Sequence, residues 1–161
     1  MSSAPPRRLP AGPAVLAVLL AFQGLSGLGG GAILVIDPSG GLLGLPLSVL
    51  RRGPFADFLV PGVILLLVLG VLPAVTAVAL WVRPRWRAVG WLERALGEHW
   101  SWVCAIAVGL GLLIWLAVES WVVGPSALLV LYGVLALAVI AVASMPGTRR
   151  FYRVERTTLR G

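Results

Sequence analysis

Four long apolar runs, joined by three short connections, decide most of what this chain can become. They cover Pro13–Ile36, Phe58–Val82, Trp100–Val123 and Pro125–Ser144, each 20 to 25 residues long. About 20 apolar residues are enough to carry a helix across a bilayer. Lipid offers no partner to open backbone groups, so each run satisfies its own N–H and C=O groups as a helix. The expected fold is all-α: a polytopic, four-transmembrane-helix bundle forming one membrane domain over residues 1–161.

Composition agrees. Of the 161 residues, 59% are hydrophobic and only 12% charged, whereas soluble domains are nearer half apolar and about a quarter charged. The net charge of +7 raises nucleic-acid binding, but the placement of the charges argues against it. All thirteen basic residues are Arg, a usage that hints at a GC-rich bacterial genome. Arg7 and Arg8 precede the first run; Arg83, Arg85, Arg87 and Arg94 lie between the second and third. Arg149, Arg150, Arg153, Arg156 and Arg160 follow the fourth, leaving Arg51 and Arg52 alone on the opposite side. Cytoplasmic segments of membrane proteins carry the Arg excess. The expected setting is therefore the plasma (inner) membrane, multi-pass, with both termini cytoplasmic. Arg7 and Arg8 ahead of "AVLAVLLAF" also resemble the start of a signal peptide, but the apolar run continues too far and no A-x-A site closes it. An uncleaved first helix is expected.

Trp81, Trp100 and Trp102 fall near the inner interface and Trp121 near the outer, where amphipathic rings settle. The inner connection "VRPRWRAVGWLERALGEHW" interleaves Arg with Trp86 and Trp91 and reads as a short interfacial helix. The outer connection, "DPSGGLLGLPLSVLRRGPFADF" over residues 37–58, is apolar for a loop. Asp37, Pro38, Ser39 and Gly40 suit a turn. Pro46 fits the first position of a helix, Arg51 and Arg52 its last turn, and Gly53 and Pro54 its end. A short outer interfacial helix of about two turns is expected over 46–52, with a cytoplasmic tail over 145–161.

In "GLSGLGGGA", Gly27 and Gly31 are four apart, as are Ser26 and Gly30. Small residues so spaced let helix backbones approach closely, within the bundle or between two copies. Gln23 and Ser26 are the polar residues of that run and can hydrogen-bond across helices. Pro73, inside the second run, removes a backbone bond and should kink its helix.

Chemistry is sparse. Cys104 and His99 are the only residues of their kinds, so no Cys pair, His pair or zinc set is expected, and no cofactor; His99 should sit at the mouth of a span. Ionisable groups inside a membrane are costly and therefore informative. Glu119 lies about 6 Å inside the end of the third run, and Tyr132, about 10 Å into the fourth, reaches a similar depth. Asp37 and Asp57 mark the outer ends of the first two spans. With Arg51 and Arg52 these are the candidate functional residues: a cation or proton site, or an acid–base pair. In the plainer alternative, Asp37 builds a turn, Asp57 caps the second helix and Glu119 pairs with an interfacial Arg.

The pattern D-P-S-G at Asp37–Gly40, followed by P-F-x-D-F-x-x-P-G at Pro54–Gly62, resembles small four-span integral membrane proteins of unknown function found widely in bacteria. The resemblance covers most of the chain and implies no activity or site residue. Small multidrug exporters also have four helices but carry a Glu in the first span, which is absent here. The expected function is non-enzymatic: an accessory or scaffold subunit whose partners are membrane lipid and a second copy or another membrane protein. The alternative is a small transporter or proton-coupled carrier using Glu119. A lipid-directed enzyme ranks last, since the sequence offers no nucleophile.

Overall fold

The computed structural model describes residues 9–84 and 89–153, with the side chains of Arg52, Leu92 and Arg94 left out. Arg7, Arg8, Arg85, Trp86, Arg87, Arg156 and Arg160 lie outside the described residues. Four helices are long and apolar enough to cross a membrane: α1, Ala11–Ile36; α2, Leu59–Val82; α4, Trp100–Val122; and α5, Ala127–Ser144. Two short helices accompany them, α3 at Gly90–Leu96 and α6 at Pro146–Tyr152. The protein is an all-α four-helix membrane bundle, with α1 beside α2 and α5, and α4 beside α5. Gly12 of α1 lies against Thr148 of α6, so both described ends of the chain meet at one end of the bundle.

Local chemistry sets the boundaries. Asp37 precedes Pro38, which pushes it out of helical geometry and stops α1. His99 starts α4, its Nδ1 accepting from the Ser101 N–H, and the Ser126 hydroxyl accepts from the Leu129 N–H to start α5. Within α2, Leu65–Val71 is π-helical and lies just before Pro73. The Leu72 N–H reaches back to the Leu67 carbonyl, and the widened turn accommodates the ring and missing N–H of Pro73.

The α1–α2 contact is built on glycine. A methyl group added at Gly27 would overlap the Leu69 carbonyl, one at Gly24 the Ala74 backbone, and one at Gly31 the Leu66 backbone. Gly27 and Gly31 thus bring α1 and α2 together within one chain, and this face is covered by α2. Ser26 and Gly30 lie on the neighbouring face, toward the bundle interior.

The end where Gly12 meets Thr148 is tied by long-range polar contacts. Tyr152, 1% exposed, donates its hydroxyl hydrogen to the Leu80 carbonyl at 3.0 Å. The Trp102 indole donates to the Ala143 carbonyl at 2.8 Å, and the Trp100 indole to the Pro84 carbonyl at 2.9 Å. The Leu80 and Ala143 groups are last-turn carbonyls that a helix cannot satisfy itself. Arg149 bridges to buried Glu98 at 2.8 Å, and the Arg83 guanidinium sits 3.4 Å over the Phe151 ring. Trp100 and Trp102 therefore clamp helix ends, while Trp81 and Trp121 stand outward, 62% and 67% exposed. The segment read from sequence as a tail begins as α6, folded under the bundle. Trp91, on α3, is also exposed.

The opposite end is apolar. The 37–58 connection holds two 3-10 helices, Gly41–Leu43 and Leu47–Arg52. The second lies where the short helix of about two turns is expected over 46–52; it is wound as 3-10, and Pro46 stands just before it rather than at its first position. Leu50 packs inward with Leu34, Phe58 and Val122, while Leu47 stays exposed. The connection thus leaves α1, crosses the bundle to α4 and returns to α2 as a lid.

Candidate functional site

Beneath this lid lies a cavity of about 570 Å³. It exists because α4 packs on α2 chiefly over Leu72–Val82 and hardly over the earlier half of α2. Leu45, Val49, Leu50, Phe55 and Phe58 of the connection roof it. Val68, Ile114, Val118 and Leu128 border it and are exposed on the bundle surface, where lipid would meet them. A shallower groove of about 340 Å³ on the flank of α2 is walled by aliphatic carbon and the Trp100 ring, and offers no chemistry.

Polar residues from three helices line the cavity: Gln23 and Ser26 from α1, Glu119 from α4 and Tyr132 from α5. Ser26 and Tyr132 share a hydrogen bond through their hydroxyls. Gln23 is 1% exposed, and neither its amide nitrogen nor its amide oxygen has a hydrogen-bond partner. Gln23 is thirteen residues from Ile36, about 20 Å along the helix, and so near the middle of a bilayer whose hydrocarbon core is about 30 Å thick. Glu119, three residues from Val122, is about 5 Å from the end of α4. The Trp115 indole, one turn earlier, lies beside its carboxyl. The cavity therefore runs from the lid toward the membrane centre, with a carboxyl near its mouth and neutral polar groups at depth.

The candidate residues do not form one cluster. Glu119 and Tyr132 both line the cavity, whereas Asp37 and Asp57 serve their own turns. Asp37 accepts from the Ser39 hydroxyl and backbone N–H through Oδ1, and from the Leu42 N–H at 2.8 Å through Oδ2. The Ser39 hydroxyl, followed by the Leu42 N–H, holds the Asp37 carboxyl below its ordinary range. Asp57 Oδ1 accepts from the Leu59 N–H at 2.9 Å, in the first turn of α2. The described ion pairs are His99–Glu93, Arg149–Glu98 and Arg153–Glu98. Arg51 is exposed and is not paired with Glu119; the Arg52 side chain is outside the description. Among the described residues no group of three His, Cys, Asp or Glu could hold a metal ion.

Several cavity residues gave no functional signal in the sequence. Phe55, Phe58 and Trp115 carry no mark of chemistry in the sequence, and only the path of the connection across α4 brings them to one space. Gln23 was legible as a polar residue in a span, a costly placement, but its lack of a partner was not.

No family model, curated protein or solved structure matches this chain. What the fold and site establish is the class: an integral membrane protein with four spanning helices.

Proposed function

We propose that this protein is a non-enzymatic integral protein of the plasma (inner) membrane that holds a small, largely hydrocarbon molecule inside the bilayer, as an accessory subunit of a larger membrane assembly. The supporting observation is the convergence of Gln23, Ser26, Glu119 and Tyr132 on one lidded, lipid-bordered cavity. An amide, two hydroxyls and a carboxyl among aliphatic walls are suited to hold and orient a ligand. Pockets of this size, mostly apolar with a few placed polar groups, are the usual form of small-molecule sites. The Arg distribution supports cytoplasmic termini and puts the lid on the outer side. The connection motif supports kinship with the small four-span bacterial membrane proteins it resembles.

Gly30 provides the test. Gly30 lines the cavity, and a Cβ added there meets only the Leu65 side chain, at 3.3 Å. Native mass spectrometry from mild detergent should find a small molecule on the wild-type protein and none on Gly30→Leu at unchanged helicity. Equal occupancy of the two, or a bare wild-type protein, would overturn the reading. Crosslinking in native membranes should capture a protein partner; a strictly monomeric protein would remove the accessory role.

A second reading is favoured by Glu119 lining the same cavity: a proton-coupled carrier. In proteoliposomes Glu119→Gln should then abolish ligand-coupled proton flux while leaving binding intact. Unchanged flux would reject it.

A further inference from the structure

The deep end of the cavity has a specific hydrogen-bonding deficit. Both polar atoms of the Gln23 amide are unpartnered within a side chain that is 1% exposed. The neighbouring Ser26–Tyr132 pair uses one hydroxyl hydrogen and leaves the other free. A buried amide presents two N–H donors and an acceptor oxygen, and leaving them unmatched in an apolar medium is unfavourable. The complementary group must therefore both donate and accept. It must also be uncharged, because a charge near the bilayer centre is costly. The surrounding walls are aliphatic, and the exposed borders Val68, Ile114 and Leu128 open toward lipid.

We infer that the cavity takes a neutral, hydroxyl-bearing amphiphile of the lipid phase. The Gln23 side chain turns from its closed-off position into the cavity it lines, the ligand's hydroxyl is seated between that amide and the Ser26–Tyr132 pair, and its hydrocarbon chain lies along the cavity toward the lipid-facing border. The hydroxyl donates to Gln23 Oε1 and accepts from Gln23 Nε2 or the free hydroxyl hydrogen of the pair. An ether or ketone satisfies only the donors of the site, an alkane neither donors nor acceptor. Glu119, near the mouth, is not needed for this contact. The inference rests on the cavity being a ligand site and adds the class of ligand.

The test uses four probes of equal chain length in nanodiscs: dodecanol, dodecyl methyl ether, dodecane and dodecylammonium. Trp115 lines the cavity, so tail-brominated forms of each report binding by quenching its fluorescence, with the Trp115→Phe protein as background. Dodecanol should bind about tenfold more tightly than dodecane, as one or two net hydrogen bonds imply, with the ether between them. Gln23→Leu should bring the alcohol down to the level of the ether, because only the contact to the Ser26–Tyr132 pair remains, while alkane binding persists. Gln23→Met, closer in shape, repeats the measurement should the leucine variant fold poorly. Equal binding of alcohol and alkane, or a preference for alcohol over ether surviving both substitutions, overturns the inference and leaves the cavity a ligand site. Tightest binding of dodecylammonium, lost in Glu119→Gln, overturns it in favour of a cationic head at the mouth. Saturable binding of none of the four would overturn the proposed function as well.

Discussion

The two ends of this bundle solve the problem of closing four helices in opposite ways. At the end where the first and last described residues meet, the helices are joined by directed bonds. Tyr152 and Trp102 cap last-turn carbonyls of α2 and α5, and Arg149 pairs with buried Glu98. Leu16, Leu20, Leu80 and Val139, all fully buried, pack in one cluster with Tyr152. At the other end the helices splay, and an apolar lid of 3-10 turns bridges them over a cavity. Apolar contact is non-directional and tolerates sliding, while a hydrogen-bonded aromatic in a close-packed core does not. The contrast sets a tied, close-packed end against one that encloses a cavity, and the proposed site lies in the more loosely held half.

The largest expected effect would break the comparison if it failed. Tyr152→Ala should cost about 3–5 kcal/mol, the range for removing a buried aromatic, in SDS unfolding titrations. Leu42→Ala, on the exposed face of the lid, should stay within about 0.5 kcal/mol. Similar values for the two would mean that the ends do not differ in this way.

Gln23→Leu should move stability in the opposite direction. Removing an unpartnered buried amide should stabilise the ligand-free protein by about 1–3 kcal/mol, read in the same titration. A loss of stability would show that the amide has a partner.

pH sharpens the comparison, because each end carries a shifted group of opposite sense. Burial pushes the Tyr152 phenol from its ordinary 10.0 up to about 12, with Arg83 opposing. Its folded-state pKa is raised, so its contribution is complete below pH 10.0 and is lost as pH rises toward about 12. Tyr152→Phe should remove this alkaline loss and cost about 1 kcal/mol at neutral pH through the bond to Leu80. Thermal unfolding in detergent from pH 8 to 12 measures both.

Asp37 gives the smallest effect. Its folded-state pKa is lowered, so the turn is supported above the ordinary value of 3.8 and loosens as pH falls through the lowered pKa. Asp37→Asn should weaken protection of the Leu42 amide in hydrogen exchange and leave the Tyr152 end unchanged. Loss of protection at both ends would join what the comparison separates.

Much of this molecule is determined by its sequence. The spans at Ala11–Ile36, Leu59–Val82, Trp100–Val122 and Ala127–Ser144 lie within two residues of the apolar runs, because lipid imposes helix formation on each segment separately. The turns at Asp37 and before Leu59 were readable for the same reason: their bonds join residues two to five apart. Only the tertiary structure decided the rest. Ser26 meets Tyr132 across 106 positions, and Tyr152 meets Leu80 across 72. The short helix of the lid was expected, but its 3-10 form and its path across α4 depend on packing Leu50 against Val122. Whether a polar residue in a span is satisfied depends on which helix lies opposite. That is why Ser26 and Gln23, alike in sequence as polar residues of one helix, end as a bonded hydroxyl and an unpartnered amide.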